Sequence, residues 1–123
     1  MSLRAVRGAT QLDVDERGHL LRRVRELVDA VLSRNALSSD DLVSIVFTAT
    51  ADLRSEFPAY AARSIGISDV PLLCAQELDV EGALPRVVRL MAHVETPLSR
   101  SEIRHVYLHG ARDLRTDLPR DPG

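Results

Sequence analysis

The sequence has 123 residues, of which 45% are hydrophobic and 3% are aromatic, and its formal net charge at pH 7 is -2. This length fits one domain with a modest core, and the weak charge and scarce aromatic side chains argue against nucleic-acid binding, which needs basic surfaces or stacking platforms. No apolar run approaches the roughly 18 residues of a membrane span or resembles a signal peptide, so we expect a soluble, cytoplasmic protein.

The N-terminal part of the chain predicts a strand followed by a long helix. Polar and apolar residues alternate from the start of the sequence, and we predict that this strand ends at Arg7 because Gly8 follows. Leucine and valine then recur at helical spacing, with Asp13 or Asp15 able to cap the helix and Asn35 able to end it.

The rest of the chain predicts one short helix and four further strands. A turn or short capped helical piece is expected at the SSDD sequence, and the short helix starts at a proline and closes at a glycine. The predicted turn covers residues 38–41, and the short helix covers residues 58–66. The second to fifth strands are predicted at 42–50, 70–75, 86–96 and 103–110.

These elements predict an α+β fold with a mostly antiparallel or mixed sheet of about five strands. One long and one short helix can cover only one face of such a sheet. Along 86–96 an aliphatic side alternates with a mixed side that includes Arg89 and His93, so the second face is too apolar for water and too polar for a dry core. We expect this face to meet another subunit; the alternative is a sheet with one solvated face. Residues 1–118 are predicted to form one domain and 119–123 a flexible tail.

Three kinds of chemistry find little support. His105 and His109 could share a zinc ion on a helix, but their neighbours favour a strand, in which four residues span roughly 13 Å. The single cysteine, Cys74, excludes an intrachain disulfide, and its apolar flanks are more typical of a small core residue than of a nucleophile. A phosphate-binding loop is not expected because the sequence contains no lysine.

Arginines at strand ends and on mixed faces are the remaining signal. All 16 residues counted as lysine or arginine are arginine. Codon bias could explain this total, but it does not explain the positions at which the arginines occur. The planar guanidinium binds carboxylates through two hydrogen bonds, so a cavity that gathers several would suit a small polyanion. The candidates are Arg7, Arg63, Arg89 and Arg115, joined by Glu77 and Tyr107.

Four blocks of sequence carry a resemblance to a known family. They are VRGAT near the start, ATADLRSEFPAYAAR at 49–63, VPLLCAQELDVEGALPRVVRLM at 70–91 and IRHVYLHGARDLRTDL at 103–118. In this order and spacing they resemble the AroH-class chorismate mutases, the trimeric pseudo-barrel family. The resemblance covers nearly the whole chain and is weakest in the long helix and the tail.

The resemblance implies a homotrimeric isomerase of aromatic amino-acid (Phe/Tyr) biosynthesis in the shikimate pathway. Such an enzyme converts chorismate to prephenate by a pericyclic (Claisen) rearrangement with no covalent intermediate, metal or cofactor, in active sites between subunits. The alternative is a trimer of similar shape, either a Rid-like imine deaminase or a non-catalytic small-carboxylate-binding protein. A pure protein-interaction module is a third possibility, and it would bury no cluster of arginines.

The resemblance also implies roles for individual residues. Arg7 would bind a substrate carboxylate with Tyr107 beside it, Arg89 would donate to the ether oxygen of the breaking bond, and Glu77 would accept from the ring hydroxyl next to Cys74. The residues implied to line or close the pocket are Phe57, Ala59, Tyr60, Arg63, Leu73, Leu114 and Arg115. A basic residue is expected at the position of Tyr60, so the pocket mouth should be less positive here.

Overall fold

A computed structural model describes residues 1–114, which form one five-stranded sheet and two α-helices. Strands β1 to β5 are Ser2–Gln11, Leu42–Ala49, Leu72–Gln76, Val87–Thr96 and Val106–Leu108; helices α1 and α2 are Arg17–Arg34 and Pro58–Ser64; short 3-10 helices are Ser39–Asp41, Arg100–Glu102 and His109–Asp113. The strand order is β3-β2-β4-β1-β5, with β4 antiparallel to both neighbours and the edge strands β3 and β5 parallel to theirs. The predicted α+β class and mixed sheet are confirmed.

Both helices pack on the same side of the sheet, as predicted. Helix α1 contacts β1 and β5, and α2 contacts β2 and β3. On β4, every second side chain from Val88 to Val94 is buried under the helices, and on β2 the ring of Phe47 is fully buried. The opposite face carries Arg89, which is only partly buried, and Met91, which is 40% exposed. Neither α-helix in residues 1–114 is long and apolar enough to cross a membrane.

Helix α1 is capped by a different residue from those predicted. The carboxylate of Glu16 accepts hydrogen bonds from the first free backbone N–H groups of the helix. Asp15 instead accepts from the backbone N–H groups of residues 54–55 at 3.0 and 3.1 Å, which fixes the segment after β2, and Asp13 forms an ion pair. The nearby hydroxyl of residue 55 and the hydrogen bonds from the backbone lower the pKa of Asp15. Asn35 ends the helix, as predicted.

The prediction that β1 ends at Arg7 is wrong, because the strand continues through Gly8 to Gln11. Gly8 has no need of an unusual backbone conformation; it lies under α1. A Cβ atom there would be 3.1 Å from a methyl carbon of Leu27 and 3.3 Å from one of Val31. The glycine therefore permits close packing of helix on strand, which a sequence pattern cannot distinguish from a strand end.

Valine at position 8 should destabilise the protein without breaking β1. Its three added carbons would enter space already filled by Leu27 and Val31, and overpacking of this kind costs about 1–3 kcal/mol. Urea unfolding of Gly8→Val should show a lower free energy of unfolding, whereas Ser2→Val, at an exposed position of the same strand, should stay close to the unmodified protein. Equal stability of the two variants would contradict this role for Gly8.

Strand β5 is also shorter than the predicted 103–110. The amide side chain of Asn35 bonds both backbone groups of Arg104, accepting from its N–H at 2.7 Å and donating to its carbonyl at 2.9 Å, so this residue does not join the ladder. At the other end, His109 has a positive φ of 54° and starts a 3-10 helix. Only three residues remain to pair with β1.

Candidate active site

The face of the sheet opposite the helices contains a concave cavity of about 390 Å³. It extends across β1, β2, β4 and β5, and its walls combine charged, polar and aliphatic side chains. The charged and polar lining is Arg7, Thr48, Glu77, Arg89 and Tyr107, the aliphatic side chains on this face are Val46 and Met91, and Gly8 and Leu90 also border the cavity. Four of the residues predicted to act on the substrate, Arg7, Glu77, Arg89 and Tyr107, are thus brought together.

The strand register explains this convergence. Arg89 on the central strand β4 is paired with Ala9 on one side and with Thr48 on the other. Ala9 is in turn paired with Tyr107, and Arg7 lies two residues before Ala9 on the same face of β1. Blocks that are up to 100 positions apart in sequence therefore place their functional side chains on adjacent strands.

Arg89 and Glu77 form the charged centre of the cavity. The Nε atom of Arg89 lies 2.9 Å from Oε1 of Glu77, yet the carboxylate is off the direction of the N–H bond, so the contact is an ion pair and Nε–H has no aligned acceptor. Thr48 donates to the same Oε1 at 2.6 Å, and the backbone N–H of Glu77 donates to Ala49 at 2.9 Å. Glu77 is therefore held from three directions, while 42% of the Arg89 side chain is exposed, so its guanidinium can also donate to a ligand in the cavity.

Arg7 and Tyr107 lie at the β1–β5 side of the cavity. The backbone N–H of Arg7 donates to Nδ1 of His105 at 3.0 Å, while the arginine itself is exposed. Tyr107 is half-buried and packs in a small apolar cluster with Ala9 and with Leu114. The predicted pocket residue Leu114 thus packs against the same apolar cluster as Tyr107, whereas Arg115 lies outside the described residues.

Five other predicted pocket residues do not line this cavity. Phe57 is 68% exposed, Leu73 is 62% exposed and Tyr60 is 40% exposed, which are large fractions for apolar or aromatic side chains. Arg63 is also exposed, whereas Ala59 is 5% exposed and packs in the core beneath its neighbours on α2. Phe57, Tyr60 and Arg63 are thus exposed on and beside α2, whereas Leu73, which pairs with Val46, is exposed on the opposite face of the sheet.

Cys74 lies on the helix-covered face of the sheet. It pairs in register with Phe47, packs against the core as Leu72 does, and lines a separate hollow of about 410 Å³ between residues 49–58 and the end of β3. Its thiol therefore does not face the cavity that holds Glu77 within a single chain.

The histidines do not assemble into a metal centre within residues 1–114, where no group of three or more potential ligand side chains occurs. His105 accepts from the backbone of Arg7, and Nε2 of His109 pairs with Glu26 at 2.7 Å. The two residues of the HVYLH sequence therefore serve different contacts.

Three side chains that face the cavity were not identified from the sequence. Val46, Thr48 and Met91 lie on the face opposite the helices, and Thr48 makes the shortest contact to Glu77. The alternation of β2 does carry a signal, since Val46 and Thr48 are out of phase with the buried Ile45 and Phe47. The alternation shows that Val46 and Thr48 lie on the face opposite the helices, but it does not show that Thr48 contacts Glu77.

Comparisons with known proteins agree over almost the full length. A family model described as chorismate mutase type I matches residues 3–118. A chorismate mutase AroH from Thermus thermophilus is 44% identical over 117 residues, covering 94% of this chain and 96% of that protein. Its namesake from Bacillus subtilis (strain 168) is 38% identical over 119 residues, covering 96% and 94%. The solved structure of a chorismate mutase from Clostridium thermocellum matches with a TM-score of 0.87 at 40% identity, covering 88% of this chain and 96% of that one.

Proposed function

The chain belongs to the type I chorismate mutase family, and on that basis we propose that it converts chorismate to prephenate in the cavity lined by Arg7, Glu77, Arg89 and Tyr107. The predicted resemblance to this family is confirmed. The observation that carries the assignment of the site is the ion pair between Arg89 and Glu77 in the same cavity as a second arginine, Arg7.

Arg89 supplies the electrostatic part of the mechanism. In the rearrangement a carbon–oxygen bond breaks while a carbon–carbon bond forms within one molecule, and negative charge develops on the ether oxygen. A guanidinium aimed at that oxygen binds the transition state more tightly than the substrate, which is the condition for raising kcat. Arg89 is mounted on the central strand of the sheet, so its backbone needs little rearrangement to do this.

Arg7 and Tyr107 supply the positioning part. The substrate is a flexible dianion whose reacting carbons must be held close together, and fixing such a geometry removes much of the entropic barrier. The guanidinium of Arg7 can bind a carboxylate through two hydrogen bonds, and the hydroxyl of Tyr107 can donate a third. Both residues lie on the same side of Arg89, next to β5.

Glu77 orients the other end of the substrate. Both of its side-chain contacts, from Thr48 and Arg89, use Oε1, which leaves Oε2 to accept a hydrogen bond from the ring hydroxyl. The same ion pair keeps the guanidinium of Arg89 directed into the cavity. Glu77 therefore acts both on the substrate and on the residue that stabilises the developing charge.

We propose that the site is completed by a neighbouring protomer of a homotrimer. The cavity is open on the sheet face, and the side chains of Phe57, Tyr60, Arg63 and Leu73 are exposed in the single chain. A neighbour that placed these side chains over the cavity would exclude water and add a second carboxylate-binding arginine. The small side chain of Ala59, which packs in the core, would determine how close the backbone of α2 comes to the neighbouring cavity. Cys74 and Arg115 are proposed to approach the substrate only in the trimer.

Purified protein should consume chorismate and form prephenate, measured by the loss of chorismate absorbance and by chromatography of the product. Since every proposed group is a side chain of the protein, activity should persist after extensive dialysis against a metal chelator. A folded preparation with no chorismate turnover above the uncatalysed rate would contradict the proposed function.

A further inference from the structure

Arg17, the first residue of α1, reaches across to α2 and contacts the surface proposed to cover the neighbouring site. Its Nε atom lies 2.9 Å from Oε1 of Glu56, and its guanidinium lies over the ring of Tyr60, 5.3 Å from the centroid. The ion pair and the cation–π contact both restrict where this arginine can point. Arg17 is therefore a fixed part of the surface that carries Phe57 and Tyr60.

The two arginines that act on Glu56, Arg17 and Arg63, carry more positive charge than Glu56 can neutralise. The backbone N–H of Phe57 donates to Glu56, and this bond, followed by the contact with Arg17 and the charge of Arg63, lowers the pKa of the carboxyl. Glu56 in return raises the pKa of Arg17. At neutral pH the cluster holds two guanidiniums, those of Arg17 and Arg63, and one carboxylate, so one positive charge is in excess.

We propose that Arg17 is a substrate-binding residue that offers this excess charge to a carboxylate of the substrate at the mouth of the neighbouring protomer's site. The proposal rests on the proposed function and on the same surface of α2. Tyr60 occupies the position at which the family resemblance led us to expect a basic residue, and the guanidinium that stacks on its ring brings a positive charge to that place from another helix.

The geometry fits this role better than a purely structural one. Only Nε of Arg17 is used by Glu56, and 56% of the side chain remains exposed, so its terminal N–H groups can still donate to a ligand. An exposed ion pair adds little to stability. Closure by a second subunit would desolvate the pair and strengthen its attraction for a dianion.

Arg17→Ala should raise KM for chorismate by about 5- to 10-fold, the effect of losing one hydrogen bond of ordinary strength, with kcat within about twofold of the unmodified enzyme. Arg17→Glu should raise KM further, because it replaces an attractive charge by a repulsive one. Arg22→Ala, which removes an exposed arginine from the same helix, is the matched control and should leave KM unchanged. Thermal unfolding of all three variants reports their folding.

The outcomes separate the two proposals. If the unmodified protein turns over chorismate and the KM of both Arg17 variants equals that of Arg22→Ala, the role of Arg17 is wrong while the proposed function stands. A fall in kcat at constant KM would also overturn it, since that result would place Arg17 in the chemical step. If the unmodified protein does not turn over chorismate, both proposals fail together.

Discussion

Replacing Arg89 with alanine is expected to lower kcat by at least about 10²- to 10³-fold, which corresponds to the roughly 3–4 kcal/mol lost with one oxyanion-type donor. Arg89 lies on the central strand, forms an ion pair with Glu77 and keeps 42% of its side chain exposed in the cavity. KM should change less, because the carboxylates of the substrate are proposed to be held by other arginines. Steady-state kinetics with chorismate measure both constants.

Two companion variants make this result specific. Arg89→Lys should also be strongly impaired, because an ammonium cannot reproduce the planar fork that faces Glu77 and the substrate together. Arg100→Ala, at an exposed position in a 3-10 helix, should keep normal turnover. Circular dichroism should show the same fold for all variants, and near-normal kcat in Arg89→Ala would remove Arg89 from the chemical step.

Co-expressing two impaired variants should restore part of the activity if the site is shared between protomers. Arg89 belongs to the cavity and Arg63 to the exposed surface of α2. We expect Arg63→Ala alone to lower kcat/KM by at least about 10-fold, the effect of removing one partner of a desolvated charge pair. When Arg89→Ala and Arg63→Ala chains are co-expressed in equal amounts, about one quarter of the sites in randomly mixed cyclic trimers should combine an intact cavity with an intact neighbour.

The measurement is kcat/KM of the co-expressed protein compared with a mixture of the two variants purified separately and not exchanged. The co-expressed sample should have well over the mean activity of the two. A doubly substituted chain co-expressed with Arg89→Ala is the matched control and should gain nothing. If co-expression leaves activity at the mean, the two arginines do not meet across a protomer boundary, and the shared site is wrong.

Much of the fold could be predicted because its elements have strong local signals. The leucine and valine spacing of α1, the alternation along β4 and the proline that opens α2 all correspond to observed elements. The two errors in strand length have a common cause. Gly8 packs against α1 and Arg104 is bonded by Asn35, partners that are distant in sequence, and no local pattern reports a contact of that kind.

The site was predicted through family resemblance more than through chemistry alone. Arg7, Glu77, Arg89 and Tyr107 do converge, and the pairing of four strands is what brings them together. Thr48 and Arg17 were missed because neither lies in a recognisable motif; their partners become visible only in three dimensions.

Because Arg89 lies on the middle strand of the sheet, such an enzyme can change its substrate preference in evolution without changing the position of this residue. Loops and sheet edges tolerate insertions and shifts of the backbone, whereas a strand that is hydrogen-bonded on both sides tolerates neither. The short helix α2 and the turn before it carry residues 56–63, and the edge strand β3 carries Leu73. These side chains can therefore be exchanged without moving Arg89. Ligand preference and catalytic power are thereby placed on separate parts of the chain, and selection can alter the first while conserving the second.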